Sequence, residues 1–265
     1  MKTNNLKIAV TAILLSAGVL SAPAVMAASA SASLEITEIA VTPLAPGASI
    51  SWTSDFDRSS SSATSPYPHT TDLHGDSNHD WNSFLGTEAT TSNASASNSS
   101  TLINLWPKLD SFAQASTAIV PAGYVWNSSM AGGYIDDIRN FTTSGPLEIL
   151  ISGDYSLFTD SGSDNGIATA EAILNLHFNN YSDDKAIFSV DRNSITADSE
   201  VNPGVHTAAG HFTVKIVTIE NGYGSIEGSA STHVDQVALS VPEPETYAML
   251  LAGLGLIGFS AYRRK

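Results

Sequence analysis

Ala168-Thr169-Ala170-Glu171-Ala172-Ile173-Leu174-Asn175-Leu176-His177-Phe178 alternates with a period of two. Ala168, Ala170, Ala172, Leu174, Leu176 and Phe178 fall on one side, with Thr169, Glu171, Asn175 and His177 among the residues on the other. That is the pattern of a half-buried β-strand, because successive side chains of an extended chain point to opposite faces. Outward from it, Leu34 and Ile36 open an alternating stretch running towards Val41, and Ile50 with Trp52 belongs to another. Leu147, Ile149 and Ile151 alternate up to an expected turn at Gly153-Asp154, after which Tyr155 and Leu157 resume the pattern. Phe212, Val214 and Ile216 mark a further strand, as does Val234 to Leu239. Strands separated by Gly, Asn, Asp and Ser predict an all-β chain, an antiparallel β-sandwich of jelly-roll character. One stretch dissents: Leu102, Leu105, Trp106, Leu109 and Phe112 have helical spacing, although Pro107 interrupts it.

Two segments, Ser59 to Ser65 and Thr87 to Thr101, consist mainly of Ser, Thr, Ala and Asn. Such a composition buries little apolar surface to offset chain ordering, so both are expected to be long exposed loops within one domain. Their hydroxyls could accept O-linked sugar. Triplets such as Asn93-Ala94-Ser95 match an N-glycosylation acceptor pattern.

The chain ends are built differently. Lys2 and Lys7 precede an apolar stretch, Ile8 to Leu20, and Val25-Met26-Ala27 presents small residues where a signal peptidase reads. Cleavage after Ala27 is expected, with Ala28-Ser29-Ala30 as the nearby alternative and an uncleaved anchor as the competing reading. At the other end, Val241-Pro242-Glu243-Pro244 leads into an apolar run from Ala248 to Ala261, bracketed by Tyr247 and Tyr262 and followed by Arg263, Arg264 and Lys265. As a helix that run reaches about 21 Å against a hydrocarbon core of about 30 Å, a short span. The basic end would stay cytoplasmic and the tyrosines would sit at the interfaces.

This tail closely resembles the PEP-CTERM sorting signal of Gram-negative bacteria, with box, glycine-bearing apolar stretch and arginine cluster in order. The resemblance covers roughly a tenth of the chain. It implies recognition by an exosortase, a membrane protease-transpeptidase that cleaves near the box and discards the helix and basic end. The expected organisation is therefore a signal peptide over 1–27, an exported β-sandwich over 28–240 and a sorting signal with a transmembrane helix over 241–265. Expected partners are signal peptidase and exosortase during export, the membrane through the terminal helix, and extracellular polysaccharide at the cell surface or in the matrix.

Without its two ends the chain keeps six basic and 24 acidic residues, a formal charge of −18. Such a surface repels phosphate backbones, which excludes nucleic acid as a natural partner. It suits divalent cations and neutral glycans, although acidity also serves solubility alone. There is no cysteine, so disulfides, thiolate nucleophiles and cysteine-based zinc sites are excluded.

Candidate chemistry is sparse. In Asp72-Leu73-His74-Gly75-Asp76-Ser77-Asn78-His79-Asp80, the residues Asp76, Asn78 and Asp80 have the alternate spacing of a calcium loop. Trp81 and Thr87 stand where that loop requires Gly and a bidentate Glu. His69, His74 and His79 are five residues apart, which shares no face of a helix or strand. Asp160-Ser161-Gly162-Ser163-Asp164-Asn165-Gly166 offers a second oxygen-rich run through Asp160 and Asp164, with Glu171 eleven residues after Asp160. A connection between neighbouring antiparallel strands explains the same residues without a metal. Calcium is thus the one cofactor the sequence suggests.

Hydrolase, zinc-protease, β-lactamase and P-loop motifs are absent, and the glycine-rich Gly222 to Gly228 reads as a turn. A glycosidase carboxylate pair is defined by separation in space and stays open. The leading expectation is a noncatalytic surface or matrix protein associated with exopolysaccharide or biofilm. The alternatives are a carbohydrate-binding module using rings such as Trp52, Tyr67, Trp81, Trp106, Tyr124 and Trp126, and a secreted glycan-active hydrolase.

Overall fold

The computed structural model describes residues 27–66, 68–78, 85–103, 106–116, 118–121, 128–162, 165–181, 186–237 and 239–241. Within them the chain is almost wholly extended. The strands are β1 (Ala28–Pro43), β2 (Ile50–Pro66), β3 (His69–Asn78), β4 (Gly86–Thr90), β5 (Ala94–Ile103), β6 (Trp106–Ala115), β7 (Ile119–Pro121), β8 (Ser128–Thr143), β9 (Leu147–Asp160), β10 (Gly166–Asn180), β11 (Ala186–Asp198), β12 (Val205–Val217), β13 (Gly222–Val237) and β14 (Leu239–Val241). They form two six-stranded antiparallel sheets, ordered β12-β9-β1-β6-β5-β4 and β11-β10-β13-β8-β2-β3, plus a parallel β14-β7 pair. The expected all-β, antiparallel architecture is what the described residues adopt, while the expected signal peptide, but for Ala27, and the expected terminal helix lie outside them.

The quoted stretch is the interior of β10. Ala168, Ala170, Ala172, Leu174, Leu176 and Phe178 are all buried, while Thr169, Glu171, Asn175 and His177 lie on the outer face. Facing them across the gap are Ala28, Ala30, Ala32, Leu34 and Ile36 of β1 with Leu147, Ile149, Ile151 and Leu157 of β9, and both sheets contribute to one apolar cluster. Alanine dominates its β1 end, so the two sheets meet there through small side chains.

Two β-bulges decide which residues enter this interior. On β1 the register to β9 shifts between Ile36 and Glu38. Even-numbered residues are buried before the shift, whereas Ile39 and Val41 pack inward after it. One extra residue changes the phase of a strand, as side chains alternate with period two. Gly153 stands opposite Ile36 at this point, and a Cβ there would lie 2.9 Å from the Glu35 carbonyl oxygen. The glycine therefore accommodates a bulge within an unbroken β9, which corrects the expected turn at Gly153-Asp154. On β2 the register to β8 shifts between Trp52 and Ser54, so that Asp55, Asp57, Ser59, Ser61, Ala63 and Ser65 follow one another along the inner face.

The Ser- and Thr-rich segments are strands and not exposed loops. Ser59 to Ser65 lies in β2, and Thr87 to Thr101 runs through β4, a turn at 91–93 and most of β5. Their inward hydroxyls pair across the gap between the sheets. Ser59 Oγ lies 2.8 Å and Ser61 Oγ 2.7 Å from Thr87 Oγ1, and Asn98 Nδ2 donates to Ser61 Oγ at 2.8 Å and to the Ser60 carbonyl at 2.7 Å. Ser111 Oγ and Thr232 Oγ1 are 2.9 Å apart. A buried polar group is tolerable when it is hydrogen-bonded, so this half of the interior is held by hydroxyl pairs where the other half is held by apolar burial. The helical spacing at 102–112 is likewise overruled. Trp106–Ala115 is a strand with Leu109, Ser111, Ala113 and Ala115 buried. Pro107 falls at its start, outside the register with β1 that begins at Lys108, where a missing N–H is harmless.

Edge strands need partners for their outward amides. Asp72 Oδ2 on β3 accepts the Thr90 N–H of β4 at 2.8 Å, while on the opposite side Asp191 Oδ2 and Ser189 Oγ of β11 accept the N–H groups of Thr213 and Lys215 on β12 at 3.3 and 3.2 Å. Each edge of one sheet is thus capped by side chains from the other.

Gly133 is the notch into which the polar half closes, since a Cβ there would meet Asn98 Oδ1 and lie 2.6 Å from Ser111 Oγ. Gly133→Ala is expected to lower stability by about 1–3 kcal/mol, the usual cost of overpacking. Chemical denaturation beside the wild type measures it.

Candidate functional site

The β2 bulge has a chemical result. In register, Asp55 stands opposite Arg139, and Asp57 opposite Asp137, across the β2–β8 ladder. All four sit on the inner face, and Asp57, Asp137 and Arg139 are 7%, 5% and 2% exposed. One carboxylate oxygen from each of Asp55, Asp57 and Asp137 lies within 4.8 Å of the others. Asp137 is held by Arg139, whose Nε and Nη2 donate to its two oxygens at 3.1 and 3.2 Å. Asp57 Oδ1 is buried with no hydrogen-bond partner.

Burial pushes the Asp57 carboxyl up to about 8, with Asp137 and Asp55 adding repulsion, Arg139 opposing it and Asp136 contributing last. Burial also raises Asp137, against the pull of Arg139. Removing a carboxylate from water disfavours its charged form, and neighbouring carboxylates do so further. At neutral pH Asp57 therefore carries a proton.

The other side of the same ladder holds a separate pair. Asp136 is fully buried beneath Arg58, whose Nη2 donates to Asp136 Oδ2 at 2.6 Å, and Tyr134 Oη donates to the same oxygen at 2.9 Å. Arg58 also lies over the Tyr134 ring at 5.2 Å, a cation–π geometry. Burial together with Asp136 pushes the Tyr134 phenol up to about 12. Beside it is a shallow recess of about 480 Å³, lined among others by Ser60, Ser62, Leu73, Gly132 and Tyr134.

The outer face of the first sheet carries a second surface. Ser97, Phe112, Ser31, Phe158 and Thr207 form one row across β5, β6, β1, β9 and β12. Ser99, Asp110, Ser33 and Ser156 form the next. Phe112 is 39% exposed and Phe158 half-buried. Two strand spacings separate the two rings' backbones, about 10 Å. A recess of about 260 Å³ lies over these serines, Asp110 and Phe112.

The sequence-derived candidates are scattered. Asp76 and Asn78 lie on β3, in register with Ser59 and Asp57, on an extended strand where a curved loop was expected. Asp76 Oδ1 accepts the neighbouring Ser77 N–H at 2.9 Å. Asp160 ends β9 and accepts the Gly162 N–H at 3.0 Å. The connection it starts runs between the two sheets and not between neighbouring strands, because β9 and β10 belong to different sheets. Glu171 faces outward on β10 and pairs with Arg192. Asp80, Asp164, His79, Tyr67, Trp81, Tyr124 and Trp126 lie outside the described residues, as do Pro242, Glu243, Pro244, Arg263 and Arg264. Ala27 immediately precedes β1, and Val241 ends β14, paired with Pro121. Among the described residues no helix is long and apolar enough to cross a membrane. Asp55, Asp57 and Asp137 are not among the sequence-derived candidates, although Asp55-Phe56-Asp57 has the period of a strand carrying two carboxylates on one face.

The family model of the PEP-CTERM protein-sorting motif matches residues 240–265. No curated protein and no solved structure matches the chain. The motif marks the chain as exported and sorted by exosortase, with a transient membrane anchor.

Between the ordinary carboxyl value and about 8, folded Asp57 holds a proton that the unfolded chain has released, so stability falls as pH rises through that window. In cation-free buffer, melting temperature is expected to drop between pH 5 and pH 8. Asp57→Asn should remove most of that slope, as read by calorimetry.

Proposed function

We propose that this is an exported, noncatalytic surface or matrix protein, delivered by signal peptidase and exosortase and held among extracellular polysaccharide. The tail motif at 240–265 carries the delivery part of this reading. The outer face of the first sheet supports the polysaccharide part. Sugars present C–H faces to aromatic rings and hydroxyls to hydrogen-bonding side chains, and the Phe112–Ser31–Phe158 row beside Ser33, Ser97, Ser99, Asp110 and Ser156 offers both. A net charge of −18 on the exported part favours a neutral glycan over an anionic one. The surface is shallow and open, suiting a polymer lying across it more than a small molecule enclosed in it.

The strand order supports the jelly-roll part of the reading. The run β8-β13-β10-β11 in one sheet and β6-β1-β9-β12 in the other have the two four-stranded orders of a jelly roll, with the N-terminal β1 standing where the last strand of that fold would lie. A hydrolase finds less support. Asp57 and Asp137 are close and desolvated, but they face the opposite sheet and not an open cleft.

Binding of the protein to an array of neutral polysaccharides tests this reading. Binding is expected, and the Phe112→Ala, Phe158→Ala double variant should weaken it by about tenfold, as two ring contacts at ~0.5–1.5 kcal/mol each imply. No binding to any glycan, or equal binding by the double variant, would refute a glycan surface here.

A further inference from the structure

We propose that Asp55, Asp57 and Asp137 form a divalent-cation site, selective for calcium, built into the interior between the two sheets where β2 pairs with β8. The site is independent of the glycan reading and of the two oxygen-rich runs that the sequence suggests.

Geometry supports it first. Calcium takes oxygen ligands at about 2.3–2.6 Å, so two ligands of one ion stand at most about 5 Å apart. The three carboxylate oxygens meet that limit, each within 4.8 Å of the others. Flexible, irregular oxygen sets favour calcium over magnesium, which demands near-octahedral geometry at a shorter distance.

Satisfaction of polar groups supports it second. Asp57 is over nine-tenths buried, contributes one of the three converging oxygens, and its Oδ1 has no hydrogen-bond partner. An ionised carboxylate buried in this state is costly unless something positive meets it. Arg139 donates to both oxygens of Asp137. Once ionised, the three carboxylates outnumber the Arg139 guanidinium beside them, and a divalent ion offsets the excess. Asp55 is the least buried of the three.

Position supports it third. Asp55 and Asp57 come from the inner face of β2 only because of the bulge between Trp52 and Ser54, and Asp137 comes from the central part of β8. An ion here ties β2 to β8 at the point where apolar contacts give way to hydroxyl pairs. In an exported chain without cysteine, such a tie does the work that a disulfide does elsewhere.

The test is a calorimetric titration of calcium chloride into the chelator-treated protein, with thermal melts at each end point. The expected result is one ion per chain and a melting temperature roughly 5–10 °C higher at a hundredfold excess over the dissociation constant. Asp57→Asn, which has the shape of the protonated side chain, should abolish both responses. Asp55→Asn, at the least buried of the three positions, should do the same while keeping the β-sheet circular dichroism of the wild type, and Asp76→Asn and Asp160→Asn should leave both responses intact. Absence of heat and of any melting shift in the wild type would overturn the site, as would a full response in the Asp55 or Asp57 variant. A stronger response to magnesium would overturn the assignment to calcium.

Discussion

The narrow space between the two stacked sheets makes one demand on the side chains that point into it, to be apolar or to find a partner there, and Asp57, Ser129 and Thr159 stand out by leaving buried oxygens that do neither. Around β1, β9, β10 and β13 the demand is met with Ala, Leu, Ile and Phe. Around β2, β4, β5 and β6 it is met with Ser59, Ser61, Thr87, Asn98 and Ser111, whose hydrogen bonds cross from sheet to sheet or along it. The two solutions differ in character. Apolar contact tolerates sliding, whereas a hydroxyl pair fixes distance and direction. The polar half is therefore the one that sets the register of one sheet over the other, and the notch at Gly133 is where it closes.

Phase is the second governing variable. A strand exchanges its two faces whenever it gains one residue, and this fold uses that exchange on both long strands of the N-terminal region. On β1 the exchange keeps Ile39 and Val41 directed inward beyond Ile36. On β2 it turns Asp55 and Asp57 towards Asp137 and Arg139, on the same face as the Ser59 and Ser61 hydroxyls. Acid chemistry in the interior is thus a property of the backbone path as much as of residue identity.

Much of the fold was legible because its apolar strands follow strict alternation. Ala168 to Phe178 announces both its conformation and its buried face. Ser59 to Ser65 has the same alternation, but serine stands on both faces, and hydropathy cannot distinguish an inward hydroxyl from an outward one. Only the partner across the gap, Thr87, makes the difference, and that partner is distant in sequence. Gly153 read as a turn because glycine signals any departure from regular backbone, bulge partner included. The acidic group was hidden for a similar reason. Asp55-Phe56-Asp57 and Asp137-Ile138-Arg139 each have the spacing of one strand face, yet neither names the other. At the tail the opposite holds: the motif is contiguous, so it was readable from a single stretch.

The place of β1 bears on when the fold can close. Strand β1 lies in the middle of a sheet, hydrogen-bonded on one side to β6 and on the other to β9. Those neighbours are Trp106–Ala115 and Leu147–Asp160, so β1 has both of its partners only when the chain is available as far as Asp160. Closure of this sheet therefore waits on contacts between residues far apart in the chain, which makes it a late event in folding.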